Sequence, residues 1–197
     1  MNPLLTRLGV PPEVQDFFHL GDDLVFRYGD SAEHFGEGFH RLPATENLWL
    51  AGPETASHVV VSFSAMEAIA LVTLHRHHYP RLQQTAFVAI GSRLHDGQAS
   101  WIRQHFPKRK FTLVFGKDLL GHLTAIKMAA GIRNVPVRMF HTGHQVAIYN
   151  DERELITSDE RLSLHAFQEA FGLRPRFRTA CARLALTFLD QLQTSRT

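Results

Sequence analysis

Cysteine is nearly absent from this chain: among its 197 residues there is only Cys181. That excludes a disulfide framework and a thiolate zinc cluster, and it makes a reducing cytoplasm the expected home. Excess charge is lacking too. Against 19 Asp and Glu stand 21 Lys and Arg, a formal net charge of +2, too small a bias to mark a nucleic-acid binder by itself. No apolar run approaches the roughly 18 residues of a membrane-spanning helix, so no membrane partner is expected. Met1 to Arg7 has neither the basic nor the apolar region of a secretory leader. Repeats, low-complexity tracts, the Walker pattern and the dinucleotide-binding fingerprint are all missing. What remains is 44% hydrophobic and 20% charged, the composition of an ordinary globular chain, and its length suits a single domain over 1–197.

Along the chain, Pro11-Pro12 opens a short helix. Strands are expected over 23–30 and 47–53, with 36–42 irregular or a second short strand. A regular alternation then begins. Strand 58–63 leads to helix 64–77, strand 85–90 to helix 97–105, and strand 110–115 to helix 119–130; a strand at 135–140 follows. Strands alternating with helices predict an α/β, Rossmann-like fold, with a mostly parallel sheet and helices on both faces. The strands near Val59, Thr85, Phe111 and Val135 are expected to share that sheet. Val59-Val60-Val61 and Thr112 to Phe115 are the continuous apolar runs of strands covered on both faces. A hairpin of 144–149 with 154–157 comes next. Ser158-Asp159 is expected to cap a helix reaching Phe171 and stopped by Gly172. A last helix over about 178–192 would put Cys181, Leu184, Ala185, Phe188, Leu189 and Leu192 on one packed stripe. The segments are thus N-terminal strands over 1–55, a core over 56–142, and a C-terminal hairpin and helices over 143–197.

Two strand-to-helix turns hold the candidate site, because ligands of open parallel sheets bind at the carboxyl edge. The first is Phe63-Ser64-Ala65-Met66-Glu67-Ala68. The second is Phe115-Gly116-Lys117-Asp118, followed by Gly121; between them lies Gly91-Ser92-Arg93. This pattern resembles the Toprim domain of topoisomerases and primases, most closely the Toprim-like proteins of bacterial mobile elements. That family has Glu at the end of its first strand, an acid four residues later, Gly after its second strand, and Asp-x-Asp then Gly after its third. Here Phe63 replaces the Glu, Glu67 keeps the next acid, Gly91 and Gly121 match, Gly116 replaces the first Asp and Asp118 keeps the second. The family's acids hold Mg²⁺ for phosphoryl transfer. The resemblance therefore implies a degenerate Toprim-like fold with Glu67 and Asp118 as vestigial candidates.

Physical chemistry agrees with the loss. Mg²⁺ demands a hard octahedral oxygen shell, whereas Phe63 offers no oxygen and Lys117 adds a positive charge. No cofactor is expected. Structural roles suit both acids: Ser64-x-x-Glu67 is a capping box, and Asp118 precedes a helix as an N-cap. His141 and His144 are a weak metal pair without a third ligand nearby. His34, His40 and His58 are ordered into no site. Gly91-Ser92-Arg93 is a soft phosphate cradle, with a plain tight turn as its alternative.

Phosphate or nucleic-acid contacts are expected from two basic clusters, one holding Arg76 and Arg81 among His75, His77 and His78, the other Arg103, Lys108, Arg109 and Lys110. Arg93 and Lys117 are further candidates. Protonation of the three histidines near pH 6 would add charge. The expected function is a non-catalytic module that binds DNA or RNA, or a replication or mobilisation protein. Two alternatives stand beside it: a Mg²⁺-dependent nuclease or nucleotidyltransferase using Glu67, Asp118 and acids such as Asp96 or Asp151, and a small-molecule α/β enzyme using the same sheet edge.

Overall fold

A computed structural model of the chain describes residues 1–174 and 176–195. Two short helices, α1 (Pro3–Arg7) and α2 (Pro12–Phe17), precede the strands β1 (Leu24–Tyr28), β2 (Ser31–Gly36), β3 (Phe39–Arg41) and β4 (Trp49–Ala51). The alternating region is β5 (His58–Ser62), α3 (Ala65–Leu74), β6 (Thr85–Ala89), α4 (Asp96–His105), β7 (Lys110–Val114) and α5 (Leu119–Arg133). It is followed by β8 (Arg138–Thr142), β9 (Gln145–Tyr149), β10 (Glu154–Ser158), α6 (Leu164–Ala170), β11 (Phe177–Thr179) and α7 (Phe188–Thr194).

The main sheet has the order β11-β7-β5-β6-β4. β5 runs parallel to both β6 and β7, and β11 is parallel to β7, while β4 is antiparallel to β6. The protein is thus α/β, with a mixed, mostly parallel sheet flanked by helices. Strand alternation splits the core between the two faces. Val60, Phe87, Ala89 and Val114 pack with α3, α7 and the N-terminal elements. Val59, Val61, Val88, Leu113 and Phe115 pack with α4, α5 and α6. Two three-stranded antiparallel sheets, β1-β2-β3 and β10-β9-β8, lie outside this sheet.

Three expectations fail. The strand read at 135–140 does not join the main sheet. Asn134 closes α5 in the left-handed region at φ 56°, and Pro136 has no N–H for a ladder. Pairing starts only at Arg138, and its partner is β9, through Gly143. The place beside β7 goes to β11, a strand from inside the segment read as the last helix. There Phe177 stacks on Phe111 with centroids 5.2 Å apart, and Ala180 N donates to Leu113 O at 3.0 Å. The final helix is therefore only α7. Phe188, Leu189 and Leu192 are buried as the stripe demands, but Leu184 is 85% exposed and Cys181 only half-buried. Lastly, Ser158 pairs with Gln145 in β10 and does not cap a helix; Ser163 caps α6 two residues beyond a short turn at Asp159–Arg161. That helix does end at Gly172, which has φ 61°.

Candidate functional site

The two edges of the main sheet are built differently, and each holds part of the expected site. At the carboxyl edge, where β5, β6 and β7 deliver their helices, the side chains are occupied. Phe63 lies against Phe115, ring centroids 4.8 Å apart, so an aromatic pair sits where the Toprim pattern would place acids. Ser64 Oγ accepts from Glu67 N at 2.9 Å, which is one half of the expected capping box. The other half is not made by the carboxylate of Glu67. That group is buried and reaches 121 residues along the chain to accept from Phe188 N at 2.7 Å and Leu189 N at 2.9 Å. It caps α7, and burial holds its pKa up at about 7 despite those two donors.

The start of α3 is capped by a residue that sequence reasoning missed. Glu33 of β2, fully buried, accepts from Ala65 N at 2.8 Å and Met66 N at 3.1 Å. The Tyr28 hydroxyl donates to its Oε2 at 2.7 Å, and His40 Nε2 lies 2.9 Å from its Oε1. The Tyr28 phenol is pushed upward by burial first and by the charge of Glu33 second. A helix N-terminus carries partial positive charge and free N–H groups. Here a carboxylate from another element satisfies them, so the position is closed to an external anion.

Asp118 Oδ1 accepts from Gly121 N at 2.8 Å and caps α5. Gly121 is needed for packing, since a Cβ there would stand 2.3 Å from Phe115 O. Gly91-Ser92-Arg93 forms no phosphate cradle. Gly91 N donates to Phe63 O and Ser92 N to Pro43 O, both at 2.9 Å. A Cβ on Gly91 would meet Pro43 O at 2.6 Å, and φ is 84°. Arg93 Nε bonds His95 Nε2 at 3.2 Å, and Lys117 is exposed beside the turn. A cavity of about 260 Å³ opens next to Phe63, lined by Leu94, Leu120, Leu123 and Met139, with no carboxylate among its lining.

These residues do not fit a Mg²⁺ site, because Glu67 and Asp118 are committed to separate helix ends and Phe63 and Gly116 bring no carboxylate. Asp96 pairs with Lys127 at 2.9 Å, and Asp151 sits in the turn between β9 and β10. His141 and His144 both approach Asp159, at 3.1 and 3.9 Å. Among the described residues, no group of three or more His, Cys, Asp or Glu is arranged to hold a metal ion.

The amino edge has the opposite character. Arg103 near the end of α4, Lys108, Arg109 and Lys110 at the start of β7, Arg133 at the end of α5, and Arg176 and Arg178 around β11 line two adjoining cavities of about 260 and 620 Å³. Neither cavity is lined by a carboxylate. None of these seven cations belongs to an ion pair among the described residues. Helix ends explain part of the clustering, since cations favour a helix C-terminus. Two helix ends, each equivalent to about half a negative charge, cannot balance seven positive side chains. Arg109 Nε and Arg133 Nε are buried without a hydrogen-bond partner among the described residues, which costs roughly 1–3 kcal/mol each.

Part of this edge is rigidly held. Arg178 Nε donates to Thr112 Oγ1 at 2.8 Å, and the same oxygen lies 2.8 Å from His58 Nε2. A hydroxyl has one proton and two lone pairs, so Thr112 Oγ1 accepts from Arg178 and donates to or accepts from His58 according to the imidazole tautomer. The pKa of His58 is lowered to about 4 by burial first, then by Arg178 and Lys110. Tyr79 lies parallel to the His58 ring, centroids 6.2 Å apart. Lys108 adopts a left-handed backbone with φ 61°, a strain worth noting in a residue other than glycine.

The other expected basic cluster also lies at the amino edge, past the end of α3, with Arg76 engaged and Arg81 exposed. Arg76 bonds Tyr79 O and lies 3.5 Å from Glu13, while Arg81 is simply exposed. The pKa of His75 is lowered by burial first and then by His78, His77 and Arg183. Sequence reasoning found Arg103 to Lys110 but missed Arg133, Arg176 and Arg178. Arg133 arrives at the end of α5, and Arg176 and Arg178 through the pairing of β11 with β7, a contact between segments more than 60 residues apart. Among the described residues, no helix is long and apolar enough to cross a membrane. Comparison with protein-family models, with curated proteins and with solved structures gives no match for this chain.

Proposed function

We propose that this protein is a Toprim-like, non-catalytic module that binds the phosphate backbone of DNA or RNA through the amino edge of its main sheet. The observation that carries the reading is the acid-free face of seven cations around Arg109, Arg133 and Arg178. Lys and Arg that neutralise phosphates release condensed counterions, and a surface left without carboxylates is suited to that exchange. The Toprim-like assignment rests on the residues at Phe63 to Ala68, Gly91 and Gly116 to Gly121. It accords with a parallel β7-β5-β6 centre. Loss of metal chemistry follows from the acids there serving as helix caps. Contacts to phosphates carry no base identity, so binding is weakly sequence-dependent.

Fluorescence anisotropy with labelled single- and double-stranded oligonucleotides tests this. Neutralising about four phosphates gives a log–log salt slope near −3 on single strands. No binding at about 50 mM salt, or binding indifferent to a rise to about 200 mM, overturns the proposal.

A further inference from the structure

Surfaces that follow a continuous phosphodiester backbone present their cations along a groove or ridge. The amino edge instead sets Arg103, Arg109 and Arg133, each half-buried, into two cavities that share the walls Lys108, Arg109, Phe111, Arg176 and Phe177, while Lys108, Lys110, Arg176 and Arg178 are exposed. The buried N–H groups of Arg109 Nε and Arg133 Nε have no acceptor among the described residues. A buried donor without a partner asks for an acceptor from outside. Arg133 is anchored at its other end, where Nη2 donates to Arg174 O at 2.8 Å and the guanidinium lies 5.6 Å from the Phe177 ring centre. Arg178 is anchored by Nε on Thr112, and its two terminal NH₂ groups have no acceptor among the described residues. Guanidiniums fixed in this way bind phosphate oxygens bidentately without first being ordered. Phe111 and Phe177 are buried against each other, so they offer no exposed ring on which a base could stack.

We infer that the recess takes a phosphate monoester, the terminal phosphate of a nucleic-acid strand, with the diester backbone continuing across the exposed lysines. The inference rests on the nucleic-acid reading above and specifies which phosphate the site prefers. A terminal monoester carries up to two negative charges and three free oxygens, against one charge and two free oxygens for an internal diester. The five guanidiniums that line the two cavities, with no carboxylate among the described residues beside them, favour the former, and a recess admits a chain end where it would exclude a through-running strand. No covalent step is involved.

The test uses one oligonucleotide sequence in three forms, 5′-phosphorylated, 3′-phosphorylated and with both ends as hydroxyls, each labelled away from the modified end. Anisotropy is read at a fixed salt concentration. One phosphorylated form is expected to bind about tenfold tighter than the hydroxyl form, equal to about 1.4 kcal/mol, and the two arms show which end is read. Inorganic pyrophosphate is expected to abolish that preference. Arg178→Gln and Arg109→Gln are expected to lose the preference while keeping weaker binding, and Arg178→Lys guards against a folding defect when melting temperatures are compared. Equal affinity for all three forms overturns this inference and leaves the nucleic-acid reading standing. No binding of any form overturns both.

Discussion

One sheet has two edges, and their contrast organises this protein. At the carboxyl edge, acceptors are matched to donors. Glu33 meets the start of α3, Asp118 the start of α5, and Glu67 the start of α7. Gln98 bonds His95 N, Thr45 O, Asn47 O and Ile90 O, closing the loops beside α4. At the amino edge, among the described residues, seven cations stand without a carboxylate and the buried Nε groups of Arg109 and Arg133 without a partner. A region whose polar groups are satisfied contributes stability. A region that keeps unsatisfied charge costs stability, and the natural reason to retain it is a ligand. On the reading proposed above, function lies at the edge opposite the one where parallel-sheet enzymes usually keep it.

The largest effect that would sharpen this contrast is expected at Glu33. Glu33→Ala strips four hydrogen-bonding groups of a buried charged acceptor. Bonds to charged groups are worth roughly 1.5–3 kcal/mol each, so a loss of about 3 kcal/mol or more is expected in urea melts. A loss under about 1 kcal/mol would mean that the carboxyl edge is not held by its caps.

A smaller effect is expected from pH at Glu67. Its folded-state pKa, raised from 4.5 to about 7, means that the folded protein binds this proton more tightly than the unfolded chain. This group's contribution to stability therefore falls as pH rises from about 4.5 to about 7, by something on the order of 1–3 kcal/mol. Glu67→Gln is expected to flatten that part of the pH profile measured by urea midpoints. An unchanged profile would contradict the assignment.

Asp118→Ala removes a half-exposed cap and is expected to cost roughly 0.5–2 kcal/mol, with nucleic-acid affinity unchanged. A loss of affinity without a shift in the urea midpoint would move the binding site to the carboxyl edge. The smallest expected effect is none: titration calorimetry with Mg²⁺ is expected to show no micromolar site. A heat of binding that vanishes in Asp118→Ala would revive the metal-dependent alternative.

What was legible in the sequence follows the range of the contacts. Val59 to Val61 and Thr112 to Phe115 announce covered strands, and the three strand–helix alternations between His58 and Arg133 are local patterns that the structure keeps. Asp118 as a cap is equally local, with donor and acceptor three residues apart. The misreadings are long-range. Nothing near Phe177 says that it will pair with Phe111, so a strand was taken for the start of a helix. Glu67 satisfies a capping motif in its own helix yet serves another helix 121 residues away. Glu33 sits among Ala32, His34 and Phe35 like a solvent-facing strand residue, although its partners are 32 and 33 residues further on. The basic face was half legible for the same reason: Arg103 to Lys110 are contiguous, and Arg133, Arg176 and Arg178 are brought to them by folding.

The contrast is tested most directly by reversing equal charge at each edge. Lys108→Glu/Arg109→Glu alters the amino edge, and Arg93→Glu/Lys117→Glu alters the carboxyl edge by the same amount. Anisotropy with one single-stranded oligonucleotide at low salt compares both with the unaltered protein. The amino-edge variant is expected to lose at least about tenfold in affinity, or about 1.4 kcal/mol, and to show a shallower salt slope. The carboxyl-edge variant is expected to stay close to the unaltered protein. Equal losses in the two variants would reduce the effect to net charge, and a loss confined to the carboxyl-edge variant would contradict the account.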